Sequence, residues 1–285
     1  MTRAERLRSM LLKQDIIVAP GVHDAIAARA AQQCGFEAVY MTGNGSMASL
    51  LGRPDIGIAT MSEMVIRAKQ ISDCLDIPVI SDADTGYGGT VNLRRTVEEF
   101  ERAGIAAIHI EDQQFPKRCG ALGGIIVVPE EEAFERIKTA CGARKSESIV
   151  VIARTDACLA EGEGIESALR RISLFERAGA DVVMVEGLQN IDEIRRVVSA
   201  SRIPVLYNIY EDKPEHAYSV EELQSAGVKI MINCLTSALM TAKMLVKLYS
   251  TFMKTGTTKA FYEELLPMDD YVELLGIDME MCKGD

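Results

Sequence analysis

Positive charge is in short supply in this chain. Its 31 Lys and Arg stand against 42 Asp and Glu, a formal net charge of −11 over 285 residues. Nucleic-acid backbones and anionic lipid surfaces call for the opposite balance, so neither is an expected partner. Long apolar runs are missing too, since none reaches the roughly 18 residues that a membrane span needs. Only three histidines occur, His23, His109 and His216, and none is marked by its spacing as the partner of a cysteine nucleophile. The seven cysteines are odd in number and scattered, with no pair at zinc-ligand spacing. The opening "RAERLRSMLLK" reads as a helix, not a secretory leader. Together these features predict a cytoplasmic protein with free thiols.

What is present is a repeating unit. Short aliphatic runs recur at "IIVAP" (16–20), "AVYMTG" (38–43), "PVISDAD" (78–84) and "AAIHIED" (106–112). Four more follow at "IVVIART" (149–155), "DVVMVEG" (181–187), "PVLYNIY" (204–210) and "KIMINC" (229–234). They are continuous and not alternating, as expected of parallel strands buried on both faces. Helical segments lie between them, several stopping at a glycine suited to a left-handed cap: Gly35, Gly104, Gly179 and Gly227. The phrase "FERAGIAAIHI" returns as "FERAGADVVMV", so the helix–glycine–strand unit repeats internally. Eight such units predict an α/β fold, either a (β/α)8 TIM barrel or a doubly wound open sheet. Their number, the chain length and the lack of any linker favour one barrel over 1–285, with a C-terminal helical extension from about 236.

Barrel chemistry belongs at the C-terminal ends of the strands, and the polar residues collect there. Thr42 and Asn44 follow strand two, Asp82 and Asp84 strand three, and Glu111 and Asp112 end strand four. Arg154, Glu186 and Asn208 close strands five, six and seven. In "SDADTGYGG" the two aspartates at i and i+2 would project from one face of a strand. Like charges so close need a cation or a shared proton. With Glu111 as a third oxygen, the set suits Mg²⁺, or Mn²⁺, better than zinc. The competing reading is that these aspartates cap the next helix. In "KRCG", Cys119 follows Lys117 and Arg118, whose charges are expected to lower its pKa and make it a proton donor or a nucleophile. The other cysteines read as small buried hydrophobes, apart from Cys282 near the end of the chain.

The motifs "YMTGNGSMASLLGRPDIG", "SDADTGYGG", "HIEDQQFPKRCG", "VIARTDA" and "VEG" stand in the order of the isocitrate lyase/phosphoenolpyruvate mutase superfamily. The chain resembles that superfamily over essentially its whole length. Its likeness is to the short branch of 2-methylisocitrate lyases, dimethylmalate lyases and carboxyphosphonoenolpyruvate mutases. The resemblance implies a (β/α)8 barrel whose last helix is exchanged between paired subunits, in a homotetramer built as a dimer of helix-swapped dimers. It implies metal binding by Asp82 and Asp84, with Glu111 acting through water. It places Thr42, Gly43, Asn44, Asp55, Lys117, Arg118, Gly120, Glu186 and Asn208 around a 2-oxo acid substrate. Cys119 resembles the lyases' general acid, Arg154 a stabiliser of developing negative charge, and Tyr40 a group that helps remove the hydroxyl proton.

The implied reaction is a Mg²⁺-dependent retro-aldol cleavage of a substituted 2-hydroxy acid, methylisocitrate- or dimethylmalate-like, into a 2-oxo acid and a carboxylate. Two alternatives remain open. One is oxaloacetate decarboxylation or phosphonopyruvate-type chemistry on the same metal. The other is a degenerate barrel kept for binding or assembly. Against the lyase pattern, Ala121 stands for a histidine, Ile125 for a lysine and Leu239 for an arginine. "NIYEDKPEH" and "NCLTSALM" also depart from the usual loops. Each of the three replacements removes a donor or charge, and a lost charged hydrogen bond costs about 1.5–3 kcal/mol, so a substrate less charged than methylisocitrate is expected. The apolar stretch 237–256 is expected to seal a subunit interface.

Overall fold

The computed structural model describes residues 1–211 and 213–276. Its strands are β1 (Ile17–Val22), β2 (Val39–Met41), β3 (Val79–Asp82), β4 (Ala107–Glu111), β5 (Val150–Thr155), β6 (Val182–Val185), β7 (Val205–Ile209) and β8 (Ile230–Asn233). They pair in chain order, all parallel, and β8 returns to β1 from Ile17↔Ile230 to Pro20↔Asn233. The barrel is therefore closed, and the open-sheet alternative falls.

Helix α1 (Arg3–Leu11) precedes the first strand, and α2 (Ala25–Gln33) follows it. After β2 come α3 (Gly43–Leu51) and α4 (Met61–Asp73). The next units contribute α5 (Thr90–Arg102), α6 (Glu130–Ala143), α7 (Ile165–Ala178), α8 (Ile191–Ala200) and α9 (Val220–Ser225). The chain then runs through α10 (Thr236–Thr255) to α11 (Met268–Leu274). From β2 to β7 every strand position is buried, which is why these runs do not alternate. One set of strand side chains, among them Ile80, Ile152, Met184 and Leu206, packs inside the barrel. Leu7 and Met10 of α1 join that set and plug its lower end. Arg8 fixes the plug by donating to the carbonyls of Ser148 and Ile149, at 2.8 and 2.9 Å. The opposite set packs under the helices, where Phe100 and Phe175, the repeated "FERAG" phenylalanines, are wholly buried. All four glycines expected to end helices have positive φ.

Two local expectations change. The strand read as 38–43 ends at Met41, because Thr42 caps α3 by accepting from the Gly45 amide at 3.3 Å. Asp84 is not on β3 at all: the strand stops at Asp82, and Asp84 turns left-handed at φ 48°. The two carboxylates are brought together by a turn and not by strand alternation. The last nine residues, with Cys282, lie outside the described residues, so the full extent expected for the C-terminal extension is not covered. Among the described residues no helix is long and apolar enough to cross a membrane.

Candidate active site

A cavity of about 290 Å³ opens at the C-terminal ends of the strands. Of the residues that the family resemblance assigns to metal, substrate or catalysis, all line it except Gly43, Asp84, Glu111 and Arg118. Asp84 and Glu111 are buried just behind its wall. Gly43 backs onto Asp82: a Cβ there would come within 2.1 Å of Asp82 Oδ2, so only glycine lets α3 start this close to β3. Arg118 is exposed, and its backbone is what the structure uses. Its N–H donates to Gln113 Oε1 at 2.9 Å, and its carbonyl accepts from Gln113 Nε2 at 2.9 Å.

The carboxylates are held by charges from within. Asp84 N–H donates to Asp82 Oδ1 at 2.9 Å. Lys117 Nζ is itself buried and lies 2.6 Å from Asp84 Oδ1 and 2.7 Å from Asp55 Oδ2. Burial and the charges of Asp82 and Asp55 outweigh that lysine and push Asp84 up to about 7. For Asp82 burial acts the same way, but His109, protonated in the acid range where Asp82 titrates, prevails together with Lys117 and Arg154 and holds it at about 2. The two carboxylates are thus driven in opposite directions, Asp82 down and Asp84 up.

Glu111 has both oxygens buried without a hydrogen bond, with Arg154 Nε 3.5 Å from Oε2. Unsatisfied hard oxygens beside Asp82 and Asp84 fit Mg²⁺ or Mn²⁺. Among the described residues, however, no three His, Cys, Asp or Glu side chains form a group able to hold a metal ion. A site closed by three direct carboxylates is therefore not what the chain offers. One or two carboxylates, completed by water and substrate oxygens, is the coordination Mg²⁺ favours.

Arg154 forks onto Asp156, which is fully buried, with Nη2 to Oδ1 at 2.8 Å and Nε to both oxygens at 3.2 Å. Gln113 Nε2 also donates to Asp156 Oδ2 at 3.2 Å, tying the guanidinium's anchor to the backbone just before Cys119. Neither Asp156 nor Gln113 was expected to matter, although "ARTDA" carried a signal in the carboxylate two residues after the arginine. Asn208 Nδ2 donates to Glu186 Oε1 at 3.1 Å, and the Tyr210 hydroxyl accepts the Gly187 amide. Burial raises Glu186, with Arg154 opposing.

Tyr40 and His109 stack at 5.7 Å between ring centres, with the Tyr40 hydroxyl 2.5 Å from His109 Nε2. Burial pulls His109 down to about 4, so the imidazole is neutral, with Nε2 shared between the Tyr40 hydroxyl and Asp82 Oδ1 at 3.4 Å. Burial and the Asp82 charge hold Tyr40 well above its ordinary value. Tyr40 is therefore a phenol and not a ready base.

The expected activation of Cys119 by its neighbours is overturned. Lys117 points away, into the carboxylates, and Arg118 points to solvent. Burial pushes the Cys119 thiol above its ordinary value, while Asn44 Nδ2, 3.2 Å from Sγ, pulls the other way. Its backbone N–H donates to the Asp55 carbonyl at 3.0 Å. A thiol kept in its S–H form is a proton donor, not a nucleophile.

The family model for phosphoenolpyruvate phosphomutase matches residues 7–251. A 2,3-dimethylmalate lyase of Eubacterium barkeri is 37% identical over 278 residues, covering 98% of this chain and 96% of the relative. Among solved structures, oxaloacetate acetylhydrolase bound to the inhibitor 3,3-difluorooxalacetate superposes with a TM-score of 0.92 at 34% identity, over 98% of this chain and 95% of that one. A phosphonopyruvate hydrolase in complex with oxalate and Mg²⁺ superposes at 0.87 with 29% identity, over 99% and 98%.

Proposed function

From the premise that the chain belongs to the phosphoenolpyruvate mutase/isocitrate lyase superfamily, we propose that it is a divalent-metal-dependent carbon–carbon lyase of a substituted 2-hydroxy acid. The observation that carries this reading is the placement of Cys119 on the wall of the cavity that Asp82 also lines, with burial holding its thiol above the ordinary value. Asp82 and Asp84, with Glu111 behind them, would hold a magnesium ion, which when bound polarises the oxygen on the substrate's second carbon as a Lewis acid.

The chain's own groups do the rest. Thr42, Gly43 and Asn44 set the start of α3 against the acid end of the substrate, where the helix N-terminus favours an anion. Arg154, aimed by Asp156, faces the negative charge that develops as the C2–C3 bond breaks. The hydroxyl proton passes to Tyr40 as Tyr40 gives its own to His109 Nε2. The electron pair leaves with C3, and the Cys119 S–H supplies the proton that completes the carboxylate product.

The same barrel in oxaloacetate acetylhydrolase supports a second reading, cleavage of a small 2-oxo diacid. One experiment separates them. Cys119→Ser should lower lyase turnover on a dimethylmalate-type substrate by at least ~100-fold, the scale of a lost general acid. Undiminished turnover would remove Cys119 as the acid, whereas a wild-type chain that cleaves oxaloacetate and leaves the dimethylmalate-type substrate intact would transfer the assignment to the second reading. Oxalate, which resembles the enolate of a 2-oxo acid, should bind by calorimetry only when Mg²⁺ is present. Failure to bind either would leave a barrel without catalytic function.

A further inference from the structure

The two sides of the cavity differ in kind. The side built from β3 and β5, with the Lys117 loop, carries Asp82, Arg154 and Lys117; the side from β7, β8 and α10 carries Asn208, whose amide is taken by Glu186, and then Tyr210, Cys234, Leu235 and Leu239, and Ala121 also lines the cavity. Among the described residues that line it, Lys117 and Arg154 are the only cations. Lys117 is already clasped by Asp55 and Asp84, and Arg154 by Asp156. On the apolar side the charged neighbours are acids, Glu186 at the end of β6 and Glu211. Glu211 Oε1 accepts from the Leu235 and Thr236 amides at 2.6 and 2.8 Å, so it is spent on the start of α10. A carboxylate on this side would lose its water and gain no cation.

Resting on the reading of a C2–C3 lyase, we propose that the group carried by C3 is an uncharged alkyl chain longer than methyl, lying over Leu235 and Leu239. The products are then a short 2-oxo acid and a saturated carboxylate lengthened by that chain. Bond breaking and protonation by Cys119 are unchanged, so no further reactant is needed.

Binding tests this without relying on turnover. Malates bearing 3-methyl, 3-ethyl, 3-propyl and 3-carboxymethyl groups would be titrated against the Mg²⁺–oxalate complex of the full chain. Affinity should tighten about four-fold for each methylene, the worth of about 0.8 kcal/mol of buried CH₂. The tricarboxylate should bind at least ~100-fold more weakly than the ethyl compound, as expected where a charge is buried without its partner. Equal or tighter binding of the tricarboxylate would overturn the proposal, as would indifference to chain length. Should oxalate itself fail to bind, the metal-site reading falls, and this inference with it. Leu239→Arg, which places a carboxylate-binding fork on the apolar side, should swing the alkyl-to-tricarboxylate ratio at least ten-fold toward the tricarboxylate. An unmoved ratio would remove Leu239 from the specificity wall.

Discussion

At the scale of single residues, sequence neighbours proved poor guides to spatial ones. Lys117, Arg118 and Cys119 are consecutive, yet the three side chains go to the carboxylates, to solvent and to the cavity wall. An extended loop separates adjacent side chains, so local charge cannot be read as local field. The consequence can be measured by alkylation. A thiol raised above its ordinary pKa holds less thiolate at any given pH, and its rate climbs only as pH passes that raised value. At pH 8 iodoacetamide should therefore modify exposed Cys34 well before Cys119, and mass mapping that finds Cys119 labelled first would refute the donor assignment. By the same sign, turnover that depends on the S–H form should persist through pH 8 and decline only above it. Asp156 gives a second test. Its carboxylate is the fully buried partner of a buried arginine, and removing one member of such a pair typically costs about 3–5 kcal/mol. Asp156→Ala should lower the denaturation midpoint accordingly, whereas a shift equal to that of an exposed substitution would show that Arg154 finds another anchor.

At the scale of elements, the strands were legible and the starts of their loops were not. Continuous aliphatic runs have one cause in an α/β protein, burial on both faces, so all eight strands could be placed to within a few positions. Helix α3 was hidden because "TGNGSMASLL" holds two glycines in its first turn, and glycine weakens any helical pattern. Those glycines serve contact, not propensity. The backbone of Gly43 presses on Asp82, and a Cβ on Gly45 would lie 2.6 Å from Thr42 Cγ2. Likewise, Asp82 and Asp84 were recognisable as a pair, but the left-handed turn that joins them has no reliable local signature in a non-glycine residue. Gly43→Ala should therefore drive α3 away from β3. We expect a stability loss of about 1–3 kcal/mol, the usual result of overpacking, together with weaker Mg²⁺-dependent oxalate binding. A variant that keeps wild-type oxalate affinity would show that the closeness of α3 to Asp82 is incidental.

At the scale of the whole molecule, closure followed from counting: eight units in a chain of this length leave no strand unpaired. The surface was less legible, and α10 shows why. All twenty of its residues escape burial in the single chain, and Met240, Val246, Tyr249 and Met253 are each more than half exposed. Periodicity marks such a helix as apolar, but only contacts say what covers it. Its first turn is nevertheless fixed to the barrel. Ser237 Oγ donates to the Gly21 carbonyl at 2.6 Å, and Glu211 caps the helix start. One helix thus carries a wall residue of the cavity, Leu239, at one end and an open apolar face along the rest. An apolar face of this extent is what a contact surface requires, and the family resemblance makes a second copy of the chain its expected cover. Covering the face would hold α10 rigid and so set the apolar side of the cavity, linking assembly to substrate binding. Light scattering behind size exclusion should find more than one copy in solution, and Val246→Glu with Tyr249→Glu should yield a folded monomer with unchanged far-ultraviolet dichroism. That monomer should bind the 3-propyl malate at least several-fold more weakly while still binding Mg²⁺ and oxalate. A wild-type chain that is monomeric at working concentration would refute the interface, and a monomeric variant with full affinity for the alkyl compound would uncouple it from the site.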